Sequence, residues 1–238
     1  MTAAAAAKGA DPAPRHTVEA TYLDPTSASF RFRQRRFAVV RAMIDEIVAV
    51  KGSCRIADIG GTDYYWRIAA DLLATAPVEI DLFNLEAKAS GHPKIRSLVG
   101  NATRLDHIAD DAYDLVHSNS VVEHVGDWSD MVAMAAEVRR IAPAYYVQTP
   151  NFWFPYEPHF RAPLFHWLPE QVRARLLMRF NLGFGGRRDT LDAAMRAVQS
   201  ARMLDGGQVA ALFPDAEISR ERYLGLTKSW MAVRRARG

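Results

Sequence analysis

A glycine pair follows a short apolar run near residue 60 and marks the first place where the chain can meet a ligand. Gly60 and Gly61 follow Asp58-Ile59, and a helical pattern begins at Tyr64. Glycines let a backbone approach a ligand closely, and the start of a helix presents unpaired N–H groups. The same pair is also typical of a tight turn that binds nothing. Bulky Tyr64, Tyr65 and Trp66 stand where a dinucleotide site has its third glycine, which disfavours a pyrophosphate ligand.

Two acids flank this turn along the chain. Asp58 directly precedes the glycines and can hold a cationic ammonium group, either directly or through water. Glu86 ends the second apolar run, where a carboxylate can accept hydrogen bonds from both hydroxyls of a ribose. Asp81 and Asn84 are alternatives to Glu86. The acids therefore indicate a nucleoside ligand that also carries a positive charge.

Candidate acid–base residues occur after the fourth apolar run and in an aromatic, proline-rich segment at 150–169. His124 lies in the first place, and Tyr156 and His159 lie in the second. A neutral imidazole can take a proton near neutral pH, although both histidines are equally typical of structural residues bonded to backbone. The segment itself is predicted either as a lid or wall over a substrate or as additional core. The sequence predicts no metal site.

The elements that position these residues alternate between strands and helices. Apolar runs rich in β-formers occur at 55–59, 78–85, 95–99, 113–117 and 144–149, and helical patterns separate most of them. This alternation predicts an α/β fold, a Rossmann-like three-layer sandwich with helices on both faces of a mostly parallel sheet. Ligands of such sheets bind beyond the carboxyl ends of the strands, where the candidate residues lie.

The C-terminal part predicts a different pairing. Residues 216–224 and 228–234 alternate in polarity with only three residues between them, which permits an antiparallel hairpin and completes a seven-stranded sheet. An amphipathic helix is predicted from Phe37 to near Gly52. The expected organisation is a disordered tail at 1–16 and a single domain at 17–238, with a helical insertion at about 169–205.

Composition favours a cytoplasmic protein. The 238 residues are 49% hydrophobic, with a single cysteine, Cys54, and no uncharged run as long as a membrane span. A lone thiol at the start of an apolar run is predicted to be buried and inert. Arginines cluster between Arg31 and Arg41 although the formal charge is only +3. We interpret this cluster as a solvated helix face, with nucleic-acid binding as the alternative.

The order of these motifs resembles that of a known family. IADIGGT, NLE, GNATRLD at 100–106 and YDLVHSNSVVEHV at 113–125 are similar to the class I methyltransferases of the type 11 group. The segments TPN, FPYEPH, LFHWLP, LFPDAEI and RYLGLTKS resemble one bacterial subgroup, and the resemblance covers about residues 30–235. It implies S-adenosylmethionine as the cofactor and a sheet that ends in an antiparallel hairpin.

The resemblance also implies roles for individual residues. Asp58 and Gly60 would line the methionine end of the cofactor beside Gly61, and Glu86 would hold the ribose. Asn101 and Ala102 would flank the adenine. Ser118 and Asn119 would border the methionine part of the cofactor. The sequence departs from the family's pattern at Thr62-Asp63-Tyr64, where another small residue is usual, and at Asn101, where aspartate is usual.

The resemblance therefore predicts methyl transfer to a small-molecule acceptor. A nucleic-acid methyltransferase is one alternative, although the Asn-Pro-Pro-Tyr type of motif is missing after the fourth run, where Ser118-Asn119-Ser120-Val121 stands. A methyltransferase-like binding subunit without catalytic activity is the other. No membrane partner is expected, and assembly with further copies of the chain is left open.

Overall fold

The fold is a seven-stranded sheet between two layers of helices. A computed structural model describes residues 26–87, 89–183 and 185–236. The strand order is β3-β2-β1-β4-β5-β9-β8, in which β9 pairs antiparallel with β5 and with β8, and the other neighbours are parallel. This confirms the predicted sheet and hairpin. The tail predicted at 1–16 lies outside the described residues.

The elements follow one another in the order that the sequence predicts, with short helices at several connections. The strands are β1 Cys54–Ile59, β2 Val78–Asn84, β3 Ile95–Val99, β4 Leu115–Asn119, β5 Ala144–Pro150, β6 Tyr156–Glu157, β7 Ala162–Pro163, β8 Glu217–Tyr223 and β9 Leu226–Arg234. The α-helices are α1 Ala28–Lys51, α2 Asp63–Trp66, α3 Ala70–Thr75, α4 Trp128–Ile141, α5 Glu170–Arg179, α6 Leu191–Gln199 and α7 Gly206–Leu212. Short 3-10 turns occupy Arg67–Ala69, Val122–His124 and Phe165–Trp167.

The central strands are buried on both faces, which explains their nearly continuous apolar sequences. One core cluster joins α1 and the region of α2 and α3 to one face of the sheet, and a second joins α4 and α7 to the other. Helix α1 begins at the Ser27 cap, whose side chain accepts a hydrogen bond from the Phe30 backbone, and it ends at Gly52 in the left-handed conformation. None of the described helices is both long and apolar enough to cross a membrane.

The structure differs from the sequence prediction at several boundaries, and strand β9 begins at Leu226, two residues before the predicted 228. Helix α1 begins at Ala28, well before Phe37, and the helix predicted from Tyr64 is divided into α2, a 3-10 turn and α3. Strand β4 begins at Leu115, two residues later than predicted. Tyr113 instead precedes the strand and donates a hydrogen bond to Asp81, with 2.8 Å between oxygens.

The aromatic segment and the two helices after it form a small satellite core. Phe160 and Phe165 pack against α5 and α6 in a third cluster with Ala174, Leu177, Ala194 and Val198. Between residues 150 and 169 the segment contains the two-residue strands β6 and β7, a 3-10 turn and no α-helix. The segment therefore supplies core on one side and leaves other side chains to face the carboxyl edge of the sheet.

Candidate functional site

The glycine turn after β1 is packed too tightly for side chains. Gly60 has a φ of +72°, and a Cβ atom there would lie 2.4 Å from Cγ2 of Val121. A Cβ atom on Gly61 would lie 1.8 Å from Oδ2 of Asp58. Both glycines are therefore required by the close approach of the turn to the partly buried side chain of Val121 and the buried side chain of Asp58.

The carboxylate of Asp58 lies beneath this turn and is fully buried. Oδ2 accepts a hydrogen bond from the indole Nε1 of Trp66 at 2.8 Å, and Oδ1 accepts one from Nδ1 of His117 at 2.7 Å. The second imidazole nitrogen of His117 lies 3.3 Å from the Tyr65 hydroxyl. Asp58 therefore ties β1 to β4 and α2, and this geometry supports a role in positioning the turn. Direct contact of Asp58 with a ligand stays a prediction.

A cleft opens beside the turn, over the carboxyl ends of β2 and β3. This β1–β2 cleft has a volume of about 670 Å³. Residues from the turn, from both strands and from the loop after β2 line it: Gly61, Thr62, Asp63, Tyr64, Leu82, Asn84, Leu85, Glu86, Ala89, Ser90 and Ser97. Glu86 is exposed in this cleft. Its volume lies within the range of small-molecule sites.

The alternatives to Glu86 are engaged elsewhere. Both oxygens of Asp81 accept hydrogen bonds from Arg96, at 2.7 and 2.8 Å, and the side chain is 3% exposed. The amide nitrogen of Asn84 donates to the carbonyl of Gly61 at 2.9 Å and so holds β2 against the glycine turn. Among these three candidates, Glu86 is the one whose carboxylate is exposed in the cleft.

Asn101 and Ala102 follow β3 and lie outside the residues that line the β1–β2 cleft. The Oδ1 atom of Asn101 accepts hydrogen bonds from the backbone nitrogen and the hydroxyl of Thr103, both at 3.0 Å. Ala102 packs against the second core cluster. Contact of these two residues with an adenine ring stays a prediction.

Ser118 and Asn119 end β4, on the other side of the glycine turn. The Ser118 hydroxyl is buried and donates to the carbonyl of Ile59 at 3.2 Å, so it fastens β4 to β1. The Oδ1 atom of Asn119 is buried and has no hydrogen-bond partner among the described residues. A buried acceptor without a donor is unfavourable, which makes Asn119 a candidate ligand-binding group.

A second cavity, the β4–β5 pocket, has a volume of about 380 Å³ and contains all three candidate acid–base residues. His124, Tyr156 and His159 line it together with Asn119. The remaining lining residues come from α1, the end of β4, β5, the aromatic segment and β9: Arg33, Arg36, Ser120, Gln148, Pro150, Asn151, Phe154, Pro158, Lys228 and Ser229. The structure thus brings together side chains that are distant in sequence, and the imidazole centroids of His124 and His159 lie 4.7 Å apart.

The wall of this pocket formed by α1 and β9 is cationic. Arg33 is 4% exposed and Arg36 is 8% exposed, so the prediction of a solvated helix face was wrong for these two arginines. Arg36 and Lys228 both contact Oε2 of Glu221, at 3.4 and 2.9 Å. Burial, followed by the charge of Arg36, lowers the pKa of Lys228. In the sequence, the only signal for this wall was the unusual density of arginines before Phe37.

Comparisons with known proteins agree with this geometry. Residues 60–142, which run from the glycine turn to the end of α4, match the type 11 family described as "Methyltransferase domain". Over these residues the chain is similar to a methyltransferase domain, and they include strands β2, β3 and β4 of the mostly parallel sheet. Across the whole fold, the domain is similar to the crystal structure of the PH0226 protein from Pyrococcus horikoshii. The TM-score is 0.52 at 14% identity, over 93% of this chain and 98% of that one.

Curated relatives share a shorter stretch with the methyltransferase domain. Uncharacterized proteins from two strains of Mycobacterium tuberculosis are 37% identical to it over 60 residues, which are 25% of this chain. The match spans about a fifth of the length of these relatives. The comparisons therefore indicate a methyltransferase-like domain, and leave the cofactor and the acceptor to be inferred from the site.

Proposed function

We propose that the chain transfers the methyl group of S-adenosylmethionine to a small-molecule acceptor that carries an anionic group. The cofactor would occupy the β1–β2 cleft and extend past the glycine turn, and the acceptor would occupy the β4–β5 pocket. Strand β1 lies between β2 and β4 in the sheet, so the turn that follows β1 separates the two cavities. This arrangement brings the two reactants together at one edge of the sheet.

The side chains present fit the cofactor. Glu86 offers an exposed carboxylate at the end of β2, where it can accept hydrogen bonds from the ribose hydroxyls. The buried Oδ1 of Asn119 has no donor among the described residues, and an ammonium group is a donor of the kind it lacks. The methionine end of the cofactor would therefore point from the glycine turn towards β4.

The protein's main task in this reaction is alignment. S-adenosylmethionine supplies a methyl group that is already activated by its positively charged sulfur. Holding two reactants in line in a dry site can contribute roughly 7–11 kcal/mol to lowering the barrier. The aromatic segment excludes water from the β4–β5 pocket because Phe154 and Tyr156 form one of its walls.

The two histidines of the pocket have one nitrogen each for proton transfer. Nδ1 of His124 lies 2.7 Å from the carbonyl of Ser200, which can only accept, so the proton is on Nδ1 and the lone pair is on Nε2. Nδ1 of His159 lies 2.6 Å from Glu157 in the same way. Burial lowers the pKa of His159, but the hydrogen bond that its Nδ1 donates to Glu157 and the charges of Glu157 and Glu123 raise the pKa overall. Both Nε2 atoms are therefore positioned to accept a proton from an acceptor hydroxyl or amine.

The positively charged wall of the β4–β5 pocket is the observation that favours an anionic acceptor. In the part of the chain that the structure describes, the pocket is lined by the cations Arg33, Arg36 and Lys228, and Glu221 pairs with the latter two. The buried Nε of Arg36 has no hydrogen-bond partner among the described residues. A carboxylate or phosphate on the acceptor would complete this wall through charge-assisted hydrogen bonds.

The experiment is a panel of acceptors read by the release of S-adenosylhomocysteine. Small aromatic and aliphatic alcohols or amines that carry a carboxylate or phosphate are compared with their neutral esters, and with RNA and DNA oligonucleotides. For the best acceptor, Arg36→Gln is expected to raise KM by about tenfold or more without changing cofactor affinity. Arg35→Gln, an exposed arginine on the same helix, is the matched control and is expected to change neither.

Turnover of oligonucleotides alone, or a preference for the neutral esters, would overturn the proposed acceptor. No turnover together with no binding of S-adenosylhomocysteine would overturn methyl transfer itself and favour a binding subunit. A cytoplasmic location stays a prediction and is supported by the single, buried Cys54, whose thiol pKa burial raises to about 12.

A further inference from the structure

A cluster of one carboxylate and two imidazoles lies beside the β4–β5 pocket. Glu123 and His124 belong to the 3-10 turn after β4, and His159 belongs to the aromatic segment. One ligand atom from each of the three residues lies within 4.8 Å of the other two. The cluster thus joins two segments that lie far apart in the sequence and that each contribute a histidine to the lining of the pocket.

Both imidazoles are held by their Nδ1 atoms. The carbonyl of Ser200 orients His124 and the carboxylate of Glu157 orients His159, and each bond leaves the Nε2 lone pair free to coordinate. Metal-binding histidines in proteins are usually fixed in this manner, with the second nitrogen donating to a carbonyl or carboxylate. The outer bonds that a metal site requires are therefore already present.

The carboxylate of Glu123 supplies an independent observation. It is 1% exposed, and its Oε2 accepts a hydrogen bond from the Thr149 hydroxyl at 2.9 Å. Its other oxygen, Oε1, is buried and has no hydrogen-bond partner among the described residues. A buried carboxylate oxygen without a partner is costly, and a cation bound to it would remove that cost.

We propose that Glu123, His124 and His159 bind one divalent transition-metal ion, of the type of Zn²⁺ or Mn²⁺. Two imidazoles and one carboxylate suit these ions, whereas sites for Mg²⁺ and Ca²⁺ are built mainly from oxygen ligands. Bonds of about 2.0–2.2 Å place tetrahedral ligand atoms roughly 3.4 Å apart, so the ligand atoms, which lie within 4.8 Å of one another, need to approach by at most about 1.4 Å. Three protein ligands leave at least one coordination position for another molecule.

The open position gives the ion a role that rests on the proposed function. His124 and His159 line the β4–β5 pocket, so an acceptor oxygen seated there can become a further ligand. The charge of a bound cation makes a hydroxyl or water more acidic. In the metal-bound protein the Nε2 atoms serve as ligands, so the acceptor hydroxyl, made more acidic by the cation, loses its proton to solvent water. Its oxygen then takes the methyl group as the sulfur–methyl bond breaks and S-adenosylhomocysteine leaves.

The test measures binding of the metal alone to the full-length, tag-free chain after treatment with a chelator. Calorimetry with ZnCl₂ and with MnCl₂ is expected to show one equivalent bound, with a Kd of about 10 μM or lower for at least one of them. A Co²⁺ titration gives a second readout, because a mixed nitrogen and oxygen site produces visible absorption bands. His124→Ala changes an exposed side chain, so the fold is expected to survive, and it should weaken binding about tenfold or more.

Two further variants and one control complete the experiment. Glu123→Gln and His159→Ala are expected to weaken metal binding as His124→Ala does, and thermal melts establish whether each variant is folded. His107→Ala removes an exposed histidine elsewhere on the surface and is expected to leave binding unchanged. Binding of S-adenosylhomocysteine is measured in parallel, so that failure of the cofactor site and failure of the metal site are separate results.

If neither Zn²⁺ nor Mn²⁺ binds at about 100 μM, the proposal is overturned. Equal loss of metal affinity in His107→Ala and His124→Ala would also overturn it, because the metal would then be bound by separate surface histidines and not by a defined site. Metal binding without any cofactor binding would leave the metal site standing and would contradict the proposed function instead.

Discussion

Nδ1 of His117 lies 2.7 Å from Oδ1 of Asp58, and both side chains are 1% exposed. This contact joins the ends of β1 and β4 directly beneath the glycine turn, and the Trp66 indole binds the other oxygen of the same carboxylate. A buried carboxylate with two fixed donors determines where the turn lies, and the turn separates the two cavities. The position of the proposed cofactor site therefore depends on a pair of residues that face away from both cavities.

The first prediction concerns Asp58→Asn. The side-chain amide would place its own N–H group against the donor of either Trp66 or His117. The free energy of unfolding is therefore expected to fall by about 2–4 kcal/mol. Affinity for S-adenosylhomocysteine should fall as well, because the turn loses its support. Urea unfolding and calorimetry measure the two effects. Asp63→Asn, at an ion pair with Arg67 in the first turn of α2, is the control and should change stability by less than about 1 kcal/mol. Unchanged stability in Asp58→Asn would contradict the structural role assigned to the pair.

The second prediction separates the two functions of the aromatic segment. Tyr156 is 43% exposed and lines the β4–β5 pocket, so Tyr156→Ala should lower turnover while the melting temperature stays nearly unchanged and cofactor affinity stays within about threefold. Phe160 is 8% exposed in the satellite core, so Phe160→Ala should destabilise the protein by about 3–4 kcal/mol.

Trp153 is the control for this comparison. It lies in the same segment but is 63% exposed and outside the pocket, so Trp153→Ala should affect neither turnover nor stability. Full turnover in Tyr156→Ala would remove Tyr156 from the acceptor site. If turnover in Tyr156→Ala and Phe160→Ala falls only in proportion to the fraction of folded protein, the segment has a purely structural role.

The third prediction concerns acid stability. Burial alone would raise the pKa of Asp215, but hydrogen bonds from Tyr145, Arg234 and Arg139 outweigh it and lower the pKa to about 2. The stabilisation is therefore present above the carboxyl's ordinary pKa, near 4, and is lost as the pH falls towards 2. Because the side chain is 32% exposed, we expect only about 1–2 kcal/mol from this effect after screening.

Asp215→Asn should therefore lower the free energy of unfolding at pH 7 by about 1–2 kcal/mol and weaken the dependence on pH between about 4 and 2. Denaturant unfolding at a series of pH values measures both quantities. Asp189→Asn, at a carboxyl that is 85% exposed, is the matched control. Parallel stability curves for the wild type and Asp215→Asn across this range would show that the pKa of Asp215 is not lowered in the folded protein.

The sequence predicted the sheet well because its strands carry strong local signals. The buried runs around Ile56, Ile80 and Val147 are apolar on both faces, and the three-residue connection before Lys228 permits only a hairpin. The glycine turn and the acid after β2 were recognisable for the same reason, since each follows a strand directly.

The remaining features depend on contacts between distant residues. Asp58 was predicted to hold a ligand directly or through water, and that stays a prediction, but no local pattern reports the contacts of its carboxylate with His117 and Trp66. Arg33 and Arg36 looked like a solvated face because the position of β9 against α1 is not visible in the sequence.

We propose that S-adenosylmethionine binds in the β1–β2 cleft with its ribose on Glu86, and calorimetry with S-adenosylhomocysteine tests this placement most directly. We expect saturable binding to one site and a loss of about 1.5–3 kcal/mol in Glu86→Ala, which is roughly a 10- to 150-fold rise in Kd. Glu79→Ala, at an exposed acid earlier on β2, should bind as the wild type does. Absence of binding to the wild type, or equal affinity in Glu86→Ala and the wild type, would contradict this placement.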